Sequence, residues 1–178
     1  MPNPIKKSQT TVYRNYRVVL QKVFELPNLT DNQEKKEITM EVFETSNTVI
    51  VCALDLSGNL ILNRQFRFGP EQFLLEFPGG GCDQLSEIKN MAKRELLEET
   101  GYEGDLEFLE TVPDGPYYTG QTHIFVARNC QLISEPTPEI EEIITNILIK
   151  PTEFKSLITN PDFVHANWLA KLIYLKVI

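Results

Sequence analysis

Gly79-Gly80-Gly81-Cys82-Asp83 and, ten residues on, Arg94-Glu95-Leu96-Leu97-Glu98-Glu99-Thr100-Gly101-Tyr102 set a glycine loop in front of a short, strongly acidic segment. If Ser86 to Thr100 is helical, Glu95, Glu98 and Glu99 lie three and four residues apart, and their side chains share one face within roughly 100° of arc. Two carboxylates ~4 Å apart repel by about 4 kcal/mol at a surface-like dielectric, which a bridging cation relieves. Oxygen-only ligands favour a hard ion, so the spacing reads as a Mg²⁺ site, with Mn²⁺ as a substitute. The plainer alternative is a solvated face on which Lys93, Arg94 and the acids pair with one another.

The neighbours of the acids favour the metal reading. Gly101 stands where a helix C-terminus needs a left-handed residue, and the whole run resembles the Nudix box: Gly, five residues, Glu, seven residues, then Arg-Glu-apolar-x-Glu-Glu-x-Gly-apolar. Read backward from Arg94, Gly80 falls on the glycine, and Glu95, Leu96, Glu98, Glu99, Gly101 and Tyr102 take the later positions. One position departs: the first glutamate of the pattern lands on Ser86, with Glu87 one residue later. In the family that glutamate mainly braces the arginine and the loop. Its replacement should loosen the site rather than abolish it, with Ser86 serving as helix N-cap and Glu87 reaching toward Arg94.

Composition bounds the alternatives. A chain of 178 residues with 42% hydrophobic and 24% charged residues suits a single soluble domain with its own core. A net charge of −8 and a pI near 4.9 exclude a duplex nucleic-acid partner, which needs a basic stripe. Binding an anionic substrate then requires metal ions and local arginines, for which Arg64 and Arg67 are at hand. Cys52, Cys82 and Cys130 are odd in number and far apart, so neither a disulfide framework nor a zinc site is expected. The start, Met1 to Lys7, lacks a signal-peptide core, and no apolar run approaches the ~20 residues that span a bilayer, so a cytoplasmic protein without a membrane partner is expected.

Outside the acidic segment, strands are expected over Tyr16–Phe24 and Glu37–Phe43 as an antiparallel hairpin, joined by the polar stretch from Pro27 to Lys35. Further strands are expected over Asn47–Leu54, Leu60–Phe66, Gln72–Phe77, Glu107–Val112, Gln121–Arg128 and Ile143–Ile149. Thr152–Ile158 and Asp162–Lys176 carry helical periodicity. The fold class is α/β, a mixed sheet covered by helices, which the resemblance sharpens to a Nudix-type α/β/α sandwich with an N-terminal antiparallel hairpin. As domains, a β extension over 1–45 and a core over 46–178 form one unit.

The resemblance also implies roles. Arg64-Gln65-Phe66-Arg67 and Leu75-Glu76-Phe77-Pro78-Gly79-Gly80-Gly81 look like segments of ADP-ribose pyrophosphatases and related nucleotide-sugar hydrolases. In that pattern Glu95 and Glu99 are the principal metal ligands, Glu98 a further ligand or water anchor, and the Gly79 or Gly80 carbonyl a backbone ligand. Arg94 orients the acids, and Arg64 and Arg67 serve the substrate, Arg67 contacting a phosphate. Pro113-Asp-Gly-Pro116 sits slightly early for the subgroup's proline and is equally a simple turn; beside it Tyr117 stacks on a base or ribose, or caps a strand end. The base is a loop glutamate: Ser134 to Glu142 offers Glu139, Glu141 and Glu142, of which Glu139 and then Glu141 are favoured, the alternative being solvated loop acids. His123 and His165 read as ordinary strand and helix residues. The implied activity is Mg²⁺-dependent hydrolysis of a nucleoside diphosphate derivative, ADP-ribose or a nucleotide sugar, to a nucleoside monophosphate and a sugar phosphate. The rival is a nucleotide-binding or regulatory module without catalysis. The resemblance also allows a homodimer through the N-terminal hairpin and the C-terminal helix, where the plainer reading has both cover the core.

Overall fold

The computed structural model describes residues 3–27 and 36–178. In chain order its strands are β1 (Ile5–Arg14), β2 (Val18–Glu25), β3 (Glu37–Glu44), β4 (Asn47–Asp55), β5 (Leu60–Arg67), β6 (Gln72–Glu76), β7 (Gly79–Cys82), β8 (Tyr102–Pro113), β9 (Gln121–Leu132) and β10 (Ile144–Ile149). The helices are α1 (Ile88–Thr100), α2 (Phe154–Ile158) and α3 (Ala166–Tyr174), with short 3₁₀ turns at Leu85–Glu87 and Pro151–Glu153. The chain packs as two units, Met1–Asn47 with Val112–Gln121, and Thr48–Thr111 with Thr122–Ile178.

The second unit is built on a seven-stranded sheet of order β10-β5-β4-β9-β8, with β6 on β5 and β7 on β4. It is mixed: β4 runs parallel to β9, while β5 is antiparallel to β4, β6 and β10. Burying Val49 to Ala53 in succession requires both faces of β4 to be covered, as the run of β-branched and small residues implies. One face meets α1: Val49, Val51, Ala53, Ile61, Phe125 and Ala127 form a cluster with Ala92 and Leu96. Ile50 and Cys52 are equally buried, and α3 contributes Leu169 and Leu172, both fully buried. This is the α/β/α arrangement. Each large aliphatic side chain so placed contributes about 1.5–3 kcal/mol.

The first unit holds the three-stranded antiparallel sheet β1-β2-β3, in which β2 and β3 pair over their full lengths, Val18 opposite Glu44 to Glu25 opposite Glu37. The expected hairpin is therefore present; most of its expected linker, residues 28–35, lies outside the described residues. β1 was not foreseen, because Ile5 to Arg14 is polar and every residue of it is exposed, so no alternation marks it. The expected glycine loop is in part a strand: β7 pairs with β4 so closely that a Cβ on Gly79 would stand 2.1 Å from the Val49 carbonyl oxygen. Among the described residues no helix is long and apolar enough to cross a membrane.

Candidate functional site

The buried face of α1 carries Ala92, Leu96, Glu99 and Thr100, so the helix delivers one carboxylate into the interior along with its apolar anchors. Glu99 is 2% exposed. Glu95, one turn earlier, is largely covered, whereas the Glu98 side chain is 46% exposed. The three acids thus do not share one face equally. Residues 98 and 99 are about 100° apart around the axis, which turns Glu98 outward to an ion pair with Arg94 Nε at 3.5 Å. Arg94 also stands 3.6 Å from Glu95, bridging the two acids on the outer side. Gly101 ends the helix at φ 74°, its N–H donating to the Leu97 carbonyl, as its position implied.

Glu99 is held from two sides. The Gly79 N–H donates to Glu99 Oε2 at 2.7 Å, and the Asn63 amide donates to the same oxygen at 2.9 Å. Asn63 in turn accepts from Asn146 Nδ2 at 2.9 Å, and that nitrogen also donates to the Glu99 carbonyl at 3.1 Å. These asparagines went unnoticed in the sequence. Nothing in the spacing of either residue marks it, and the two are direct cross-strand partners of β5 and β10. Burial pushes the Glu99 carboxyl up to about 8, and the Glu95 and Glu142 charges push the same way, against the Gly79 and Asn63 hydrogen bonds. Burial also raises Glu95, opposed by Arg94 and reinforced by Glu98 and Glu142.

The two arginines of Arg64-Gln65-Phe66-Arg67 leave opposite faces of the β5–β6 hairpin, as residues three apart in a strand must. Arg64 is exposed and lies over the Phe73 ring at 3.9 Å. Arg67 makes a two-pronged bond to Glu76, Nε to Oε1 at 2.7 Å and Nη2 to Oε2 at 2.6 Å, and feels the charges of Glu99 and Glu142. Of the two, Arg67 therefore stands in the field of the acids. His165 is not an ordinary helix residue: its Nδ1 accepts from the Phe77 N–H at 2.9 Å and its ring stacks on Phe77 at 5.3 Å. Burial lowers it to about 4, keeping it the neutral acceptor this bond needs. His123 is buried in β9, its Nδ1 2.7 Å from Thr111 Oγ1.

The loop between β9 and β10 hangs from the end of α1. Ile133 and Ser134 N–H groups both donate to the Gly101 carbonyl, and the Thr137 N–H donates to the Glu98 carbonyl at 2.7 Å, satisfying carbonyls that a helix end leaves open. Of its acids, Glu139 and Glu141 are exposed, while Glu142 is partly buried and its charge reaches Glu95, Glu99 and Arg67. Glu142 Oε2 also accepts the Glu139 N–H at 2.9 Å. Tyr117 belongs to the other unit, half-exposed, its carbonyl accepting the Phe43 N–H. Ser86 does not cap α1: it lies in the 3₁₀ turn before the helix, whose N-cap is Glu87 with no side-chain capping bond. Glu87 accepts from Asn90 at 2.6 Å and not from Arg94, because Arg94 is engaged by Glu95 and Glu98.

Among the described residues no three His, Cys, Asp or Glu side chains form a finished metal cage. Mg²⁺ does not need one, since it is held by one or two carboxylates and keeps several waters. The donors are of the kind that demand asks for: Glu95 and Glu99 offer carboxylate oxygens whose pKa burial raises, and the Glu95 charge raises Glu99 further. Gly80 leaves room for the first of them, since a Cβ there would meet the Glu95 carboxylate at 2.7 Å.

Comparison with known proteins matches this architecture. A family model described as NUDIX domain matches residues 44–172. The chain is 26% identical over 140 residues to the ADP compounds hydrolase NudE of Escherichia coli (strain K12), covering 74% of this chain and 72% of that protein. It is 30% identical over 113 residues to the ADP-ribose pyrophosphatase of Bacillus subtilis (strain 168), covering 62% of this chain and 58% of that protein. A crystal structure of an ADP compounds hydrolase superposes with a TM-score of 0.80 at 25% identity, covering 99% of this chain and 94% of that one. The acid-bearing helix and its glycine strand lie inside the matched region, and the chain belongs to the NUDIX domain family.

Proposed function

We propose that this Nudix hydrolase cleaves the diphosphate of an ADP compound such as ADP-ribose, in a Mg²⁺-dependent reaction that yields AMP and a sugar phosphate. The observation that carries the reading is the pair Glu95 and Glu99, two desolvated carboxylates on adjacent turns within the field of a third acid, Glu142. The names of the relatives support the substrate class.

Glu95 and Glu99 would hold the divalent ion, with Glu98 and a Gly79 or Gly80 carbonyl as outer or additional ligands. When bound, such an ion supplies charge neutralisation on the diphosphate oxygens and a more acidic water. Arg94, paired with Glu95 and Glu98, keeps both carboxylates oriented. Glu142 is the base: its carboxylate takes one proton from the attacking water as the new O–P bond forms, and the leaving phosphate departs with the electron pair of the bridging P–O bond that breaks. It is preferred to Glu139 and Glu141 because those two are exposed. Arg67, fixed by Glu76, keeps donors to spare for a phosphate oxygen. Arg64 and Tyr117 remain the further candidates for contact with the substrate, Arg64 through its exposed guanidinium and Tyr117 through its half-exposed ring. A second copy of the chain is the proposed partner of the N-terminal sheet, whose edge strand β1 is wholly exposed.

Incubation with ADP-ribose, other ADP compounds and nucleotide sugars in Mg²⁺ or Mn²⁺, read by separation of the products, tests the proposal. AMP with ribose 5-phosphate is the expected pair. Binding without phosphate-ester products across the panel overturns it in favour of a binding module.

A further inference from the structure

Glu99 is the most enclosed acid of the site, and its environment is asymmetric. Both donors that reach it, the Gly79 N–H and the Asn63 amide, land on Oε2; among the described residues Oε1 carries no hydrogen bond. The orientation of the Asn63 amide is itself determined. Its oxygen is occupied by Asn146 Nδ2, so its nitrogen must face Glu99. Asn146 uses the same nitrogen to hold the Glu99 main-chain carbonyl, so the side chain and the backbone of Glu99 are held by two amides that are bonded to each other. Asn63 is 1% exposed, and a buried amide is retained only when its bonds are made.

We propose that Asn63 and Asn146 are positioning residues, an amide clamp that keeps Glu99 Oε2 on the protein and turns Oε1 toward the divalent ion. This rests on the metal-dependent reading of the site. Each asparagine acts through Glu99, Asn63 directly and Asn146 by fixing Asn63 and the end of α1. Partners that orient a ligating carboxylate typically contribute about 10- to 100-fold in metal affinity when mutated.

The test is Mn²⁺ titration of the full chain without substrate, by calorimetry or electron paramagnetic resonance, on wild type, Asn63→Ala, Asn146→Ala, Glu99→Gln and the double variant Asn63→Ala with Glu99→Gln. The expected result is Mn²⁺ affinity weakened by about 10- to 100-fold in Asn63→Ala and by less in Asn146→Ala. In the Glu99→Gln background Asn63→Ala should produce no additional loss, because the clamp has nothing left to turn. A merely structural role lowers the melting temperature of the asparagine variants and leaves affinity alone. Should Asn63→Ala not fold, Asn146→Ala reads the same clamp from its outer member. Affinities within twofold of wild type in folded variants, or an undiminished loss in the Glu99→Gln background, overturn the clamp while leaving the metal site standing. A wild-type chain that takes up no Mn²⁺ overturns both.

Discussion

β4 of the large sheet buries Val49 to Ala53 without interruption, whereas β1 of the small sheet exposes all ten of its residues. The two strands differ in what lies on either side, not in their ability to form ladders. The large sheet is buried along β4, and the amides, the glycine N–H and the Arg67–Glu76 pair near the acids all issue from it. The small sheet contributes none of those groups. Chemistry that depends on shifted carboxylates needs the low-dielectric surface that only the first kind of sheet supplies.

That contrast can be broken in four places. Glu99→Gln should lower turnover on the order of 1000-fold, about 4 kcal/mol of barrier, with melting hardly changed; steady-state kinetics beside thermal melts decide it. Leu96→Ala, in the cluster between α1 and β4, should cost about 2–5 kcal/mol by urea unfolding. Acid reads the same packing through His165. Its folded value, about 4, lies below the unfolded value near 6.5, so the unfolded chain binds more protons between them and stability falls as pH drops through that window. The loss attributable to His165 should reach about 3 kcal/mol near pH 4, and His165→Gln should flatten the profile measured by denaturant titration. Val12→Lys in β1 should move stability by about 0.5 kcal/mol or less, since Val12 is 49% exposed. If a second copy covers that strand, light scattering should register a shift from dimer to monomer. A cost as large as that of Leu96→Ala would erase the distinction between the sheets.

Much of the large sheet could be read in advance because its strands are long aliphatic runs and its acid helix carries a spaced motif. Glu95, Glu98, Glu99 and Gly101 were legible as a pattern, but their unequal burial was not: the acids were expected to share one face, and one residue of helical rotation sends Glu98 to solvent and Glu99 inside. The supporting shell was silent for another reason. Asn63, Asn146 and His165 belong to no spaced motif and their partners lie far away in the chain, so only the β5–β10 register and the approach of His165 to Phe77 bring them into use. β1 escaped notice because a strand exposed on both faces has no period to reveal it. Ser86 misled because a hydroxyl before a helix suggests a cap, whereas here a 3₁₀ turn intervenes.

The suspension of the β9–β10 loop from the end of α1 bears on how new specificities can be grafted onto this frame. Up to Thr137 the main chain is stitched to Gly101 and Glu98, so a deletion there would drag the acids out of alignment. Beyond it lies the small turn from Glu139 to Glu142, closed on itself by its own amides. The permissible seam for loop exchange therefore falls just after Thr137, where a transplanted segment replaces the stretch that holds Glu142, the proposed base, without disturbing the helix that carries Glu95 and Glu99.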